Sequence, residues 1–185
     1  MHPIKLVWAT RAVIYKLFFK KFGHKCYMGK PCFIGGGKHI LIGNKVRIFP
    51  GIRMEAIGSG CITIRDNCAI EQGVHITSKD ENLIIEKDCT ILAYTFITNV
   101  NHNYDMIDRS VLEQGHTIKT THIGEGCFIG YGASIQAGTI LGKHCVVGTG
   151  AVVNGGTYPD YSVLVGVPAR IVKKYNHKTK LWEKV

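Results

Sequence analysis

At 185 residues, 45% of them apolar and 19% charged, the chain has enough material for one domain with a continuous core. Its net charge of +10 points to an anionic partner or surface, but the basic residues gather at the two ends without a recognised nucleic-acid module, so no nucleic acid is expected as a partner. No uncharged apolar run approaches the roughly 20 residues that cross a bilayer, and no small-residue cleavage site follows a short apolar segment.

Residues 1–21 read as a basic apolar helix. The stretch Ile4–Phe22 carries Lys5, Arg11, Lys16, Lys20 and Lys21 among apolar residues. Two roles stay open for it. It could close the open end of the domain that follows, or associate peripherally with a membrane surface, with Trp8, Phe18 and Phe19 in the interface and lysines near anionic lipid.

From residue 22 to residue 172 an aliphatic residue returns at a period of six. Ile123, Ile129, Ile135, Leu141, Val147 and Val153 set the frame, which is expected to continue past Pro159 to Val165 and Ile171. Earlier come Phe22, Met28 and Ile34, then Ile42, Ile48 and Met54, then Ile64, Ile70 and Ile76, then Ile85, Ile91 and Ile97. A period of six is neither 3.6 nor 2, so the segment is neither an amphipathic helix nor a simple half-buried strand. It is a solenoid in which each six-residue unit forms one side of a triangular coil. Cys26, Cys32, Cys68, Cys89, Cys127 and Cys145 fall at the fifth place of a unit, where the side chain points inward as a small apolar group. There is no CxxC and no Cys/His spacing of the zinc type, so reduced thiols, a cytoplasmic setting and no metal are expected.

The frame is interrupted between Ile34 and Ile42, Met54 and Ile64, Ile76 and Ile85, and Ile97 and Ile123. Every interruption follows the third unit of a coil, so all of them leave the rod from one edge. The longest, residues 98–121, is a protruding loop on a rigid scaffold, where function concentrates. It carries Asn101, His102, Tyr104 and Asp105, and His116 and His122 mark its return. A histidine can take a proton near neutral pH, as the attack of a hydroxyl on a thioester requires. Beyond residue 172, residues 173–185 form a basic tail. Leu181 and Trp182 could fold over the last coil, or its lysines could face phosphate.

The repeat THIGEGCFIGYGASIQAGTILGKHCVVGTG, the long loop and the closing GVPARIVKK are similar to those of the hexapeptide-repeat acetyltransferases, including galactoside, maltose and virginiamycin O-acetyltransferases and enzymes that acetylate surface polysaccharides. The resemblance implies an all-β fold, a left-handed parallel β-helix, working as a homotrimer with acetyl-CoA as co-substrate. It implies acetyl transfer to a sugar hydroxyl, with capsule, O-antigen or exopolysaccharide synthesis as the expected setting.

 

In those relatives the catalytic histidine ends the unit before the long loop, which is the place of His102 here, as general base. An acidic or amide partner falls near Glu71. Acetyl-CoA lies in a groove between subunits, which by register assigns Tyr131, Thr149 and Asn154 to it, with Arg170 and Lys173 for the phosphates. Asn101, Tyr104 and Asp105 are the expected acceptor-binding residues. Phe128 stands where many relatives have Trp, so an aromatic face remains without an indole donor. Acetylation of an antibiotic, a free sugar or a nucleotide-linked amino sugar, and a non-catalytic scaffold, are the alternatives.

Overall fold

The structure, a computed structural model, describes residues 3–185 and consists almost wholly of short parallel strands. Met1 and His2 of the N-terminal segment lie outside the described residues. The chain is a left-handed parallel β-helix whose three sides are three sheets. The first side runs from Lys21–Phe22 to Gly156–Tyr158 in seven strands, one for each turn. The second runs from Tyr27–Met28 to Ser162–Gly166, and the third from Phe33–Gly35 to Val152–Val153.

The period of six is the period of the sides. Ile42 pairs with Ile64, Ile64 with Ile85, Ile85 with Ile123 and Ile123 with Leu141, so one inward residue stacks on the next along the first side. Ile48, Ile70, Ile91, Ile129 and Val147 do the same on the second side, and Met54, Ile76, Ile97, Ile135 and Val153 on the third. These ladders have almost no solvent exposure. Full burial of each aliphatic side chain is worth about 1.5–3 kcal/mol.

Sharp corners between the sides need a left-handed residue in each turn. Lys25, Lys45, Asn67, Asp88, His144 and Tyr161 all have φ between 51° and 63° at the corner between the first and second sides. Side-chain bonds between successive turns support it: Asp66 Oδ1 accepts from the Asn44 N–H at 2.9 Å, and Asn67 Nδ2 donates to Asp88 Oδ1 at 2.7 Å. Beside this corner Cys68, Cys89, Cys127 and Cys145 form a buried ladder. Each thiol donates to a carbonyl of the next turn, at Glu86, Gly124, Gly142 and Pro159. The Cys89 and Cys127 thiols are each pushed up to about 12, first by the bond to the next thiol in the ladder and then by burial. They are packing groups, held protonated.

Five expectations are corrected. The helix is shorter than Ile4–Phe22: it spans Pro3–Tyr15, and Lys21–Phe22 is already the first strand. Cys32 is exposed and Cys26 only half-buried, because the first turn has no turn beneath it. The frame shifts by one before Pro159. Tyr158 pairs with Leu141, and Leu164 then takes the inward place while Val165 is exposed and Ile171 lies on a returning strand. The missing residue belongs to the corner between Val153 and Tyr158, where Gly155 packs close against the Ala137 carbonyl. The boundary at residue 172 falls inside the strand Ala169–Asn176. That strand and Leu181–Lys184 return antiparallel and widen the second side, so Leu181 and Trp182 do not cover the last turn; Trp182 packs on Tyr175 instead.

Candidate active site

The interruptions all leave at the corner between the third and first sides. There residues 98–121 form an arm rather than an irregular loop. Val100–His102 pairs antiparallel with His116–Ile118, placing His102 opposite His116 with ring centroids 4.5 Å apart. Buried Asn99 fixes the base of the arm: its Oδ1 accepts from the Lys79 N–H at 2.8 Å, and its Nδ2 donates to the Lys79 carbonyl at 3.2 Å. Thr121 Oγ1 donates to the Thr98 carbonyl at 2.8 Å and ties the outgoing strand to the returning one. Farther out, Gln114 Nε2 donates to the Met106 carbonyl and Gln114 Oε1 accepts from the Met106 N–H, which holds the tip in shape.

Between the arm and the third side lies a cavity of about 360 Å³. His102 and His116 line it from the arm; Glu55, His75, Thr77, Lys79, Phe96 and Thr98 line it from successive turns of the rod. Glu55, His75, Thr77 and Phe96 are outward neighbours of the inward ladder, flanking Met54, Ile76 and Ile97. Arg53 Nε lies 2.5 Å from Glu55 Oε1, and His75 Nε2 lies 3.5 Å from the same oxygen. The Arg53 hydrogen bond holds the Glu55 carboxyl below the usual carboxylate range despite partial burial. Desolvation, then the Arg53 charge, pushes His75 below the usual imidazole value, and its ring meets Phe96 edge-on at 5.2 Å.

Lys79 Nζ is 2.8 Å from His116 Nδ1. An ammonium can donate but not accept, so Nδ1 of His116 is the acceptor and its proton belongs on Nε2. Desolvation, followed by the charges of Lys79 and His102, lowers the His116 pKa, while Asp80 opposes the shift. Lys79→Met therefore raises it toward the ordinary imidazole value, because protonation no longer places two cations together. An NMR titration of ring carbon protons in the two proteins checks this; an unchanged midpoint contradicts it.

The cavity unites His102 with residues that the repeat frame did not single out as site residues: Glu55, His75, Lys79 and His116. Their signal was available, since Arg53, Glu55 and His75 are the charged or titratable residues flanking the third-side ladder. Glu71 is corrected. It follows the second-side strand Ala69–Ile70, its Oε2 accepts from the Ala93 N–H at 3.1 Å, and it does not line the cavity. Asn101 pairs with Thr117 within the arm, while Tyr104 and Asp105 are exposed beyond His102 and do not line the cavity either.

The residues assigned to the co-substrate divide. Tyr131 and Thr149 occupy the corner between the second and third sides one turn apart, where the Tyr131 carbonyl accepts from the Gly150 N–H at 2.8 Å. Arg170 pairs with Val165 beside the Gly166–Ala169 turn, one turn farther along that corner. Asn154 instead follows the third-side strand Val152–Val153, and Lys173 pairs with Val163 on the second side. Among the described residues no group of three or more His, Cys, Asp and Glu is placed to hold a metal ion.

The bacterial transferase hexapeptide (six repeats) family matches residues 120–155. Over 161 residues the chain is 37% identical to WbbJ of Escherichia coli (strain K12), a protein named for O-acetyl transfer in lipopolysaccharide biosynthesis, covering 83% of this chain and 81% of that one. The chain belongs to the hexapeptide-repeat acetyltransferase family. It is thus an acyltransferase. The fold is shared with AntD, an N-acyltransferase from Bacillus cereus solved with dTDP and 3-hydroxybutyryl-CoA, at a TM-score of 0.75 and 17% identity over 91% of this chain and 90% of AntD. It is shared also with the hexapeptide-repeat acetyltransferase VCA0836 of Vibrio cholerae, solved with acetyl coenzyme A, at a TM-score of 0.61 and 24% identity over 91% of this chain and 78% of that one.

Proposed function

We propose that this family member moves an acetyl group from acetyl-CoA to a sugar hydroxyl during synthesis of a cell-surface polysaccharide, with His102 as general base. The observation that carries the reading is the cavity: it gathers His102 and a set of polar groups able to hold a hydroxylated acceptor against the third side. The acceptor O–H donates its proton to an unprotonated ring nitrogen of His102 as the oxygen attacks the thioester carbonyl. The tetrahedral oxyanion then collapses, the carbon–sulfur bond breaks, and the departing thiolate takes the proton from His102. The His116 Nε2–H, fixed by Lys79, supplies a donor in the same cavity for the oxyanion or the acceptor.

The corner carrying Tyr131, Thr149 and Arg170 suits an extended co-substrate, with main-chain groups along it and a guanidinium for phosphate. Its outer wall would come from another copy, and a homotrimer closes three such contacts around one axis. Acetyl-CoA and the unpaired thiols both fit a reducing cytoplasm. The test is transfer of labelled acetyl from acetyl-CoA to a panel of glycans, amino sugars and small hydroxylated drugs. Label on a glycan that mild alkali releases is the ester this reading expects. Alkali-stable label on an amine contradicts it and favours amide formation.

A further inference from the structure

Helix Pro3–Tyr15 buries one face and leaves another apolar face open. Ala12 and the following Phe19 join the core, Tyr15 packs against Phe19 at 5.6 Å, and Trp8 packs on Tyr27 at 5.8 Å and Phe49 at 5.6 Å. On the other side, Leu6, Val7, Val13, Ile14, Leu17 and Phe18 are all more than half exposed. Within the helix, Leu6, Val7, Val13 and Ile14 recur at helical spacing with Thr10 between them, and Leu17 and Phe18 extend the stripe past its end. An end cap needs the inner face alone. The outer stripe asks for a separate partner.

The charges around it choose the partner. Lys16, Lys20 and Lys21 are exposed beside the stripe, Lys5 and Arg11 lie on the helix itself, and the first acidic residue in the chain is Glu55. Two copies meeting through this face would bring their lysines together, with Asp66 the carboxylate within electrostatic reach of Lys21. An anionic bilayer offers apolar depth for the stripe and negative headgroups for its flanks. Among the described residues no helix is long and apolar enough to cross a membrane, so contact would be peripheral.

A second space lies at this end of the rod, separate from the cavity of His102. Tyr15, Phe18, Pro31, Phe33 and Ile34 line a space of about 560 Å³ on the first turn. Arg53 lies over the Phe33 ring at 5.1 Å and also binds Glu55, which lines the cavity of His102. Since successive turns stack about 5 Å apart, the cavity opens within a turn or two of the helix-bearing end.

We infer that the N-terminal end docks on an anionic membrane surface and that the acceptor is a sugar carried by a membrane lipid. The second half rests on the acetyl-transfer reading; the first does not. The test is co-sedimentation of the full chain with vesicles of phosphatidylcholine alone or mixed with phosphatidylglycerol, using wild type and Val13→Glu/Leu17→Glu. Both replaced side chains are exposed, so the fold is retained, as circular dichroism would verify. Binding to the anionic vesicles that weakens with salt and falls at least tenfold in the variant is expected. No binding to anionic vesicles, equal binding by the variant, or a salt-resistant self-association abolished by the variant overturns the docking.

The acceptor is tested separately by acetylation of a lipid-linked glycan in vesicles and of the same glycan cleaved from its lipid. Wild type should show a KM at least tenfold lower for the linked form, and the variant should lose that advantage while retaining turnover on the cleaved form. Equal KM values overturn the lipid-carried acceptor. Failure of wild type to acetylate either form, with vesicle binding intact, counts against the transfer reading and leaves the docking result standing.

Discussion

His102→Ala should lower kcat for acetyl transfer by about 10²–10⁴-fold, the range over which a positioned proton acceptor contributes. The side chain is exposed on a hairpin whose shape is held by Gln114, Asn99 and main-chain pairing, so its loss leaves the fold unaltered. Binding of CoA should change little, because the imidazole acts on the acceptor hydroxyl. Initial rates of thiol release with acceptor present, alongside a thermal melt, separate the two effects. A variant that melts like wild type and turns over within a few-fold of it removes His102 from the role of base.

The largest effect on stability belongs in the middle of the rod. Ile91 is fully buried, with Ile70 on one side of it and Ile129 on the other. Ile91→Ala should destabilise the protein by about 2–5 kcal/mol, the sum of lost transfer energy and the cavity left behind. Collapse into the void is resisted because each neighbour is held in a parallel ladder at a fixed spacing. Denaturant unfolding of the two proteins measures it, and a change below about 1 kcal/mol would show that the ladders relax more freely than close packing allows. Val165, though also aliphatic, is exposed on the second-side strand Ser162–Gly166. Val165→Ala should cost far less, which distinguishes the observed register from an unbroken period of six.

Much of the scaffold was legible because the same geometric demand repeats. A three-sided coil returns its inward place every six residues, and Ile42 through Val153 obey it even where the corners lengthen. The demand fails in the last turn, where the corner between Val153 and Tyr158 is one residue short. The site was less legible because it is assembled across turns. Glu55, His75 and Phe96 come from successive coils and project from the opposite side of the strand to the repeating aliphatic residues. His116 joins them through an antiparallel arm that the repeat does not encode. Glu71 sits at a corner of the rod, where its Oε2 accepts from the Ala93 N–H. The helix was ambiguous in sequence because both its faces are apolar; the structure shows one of them packed.

The most direct measurement of where transfer takes place is a crystal structure with CoA bound. The thiol should enter the cavity beside His102, with the pantetheine chain leading back toward the corner of Tyr131 and Thr149 and the phosphates toward Arg170. A thiol seated on the first side, or anywhere out of reach of the His102 ring, would contradict the account.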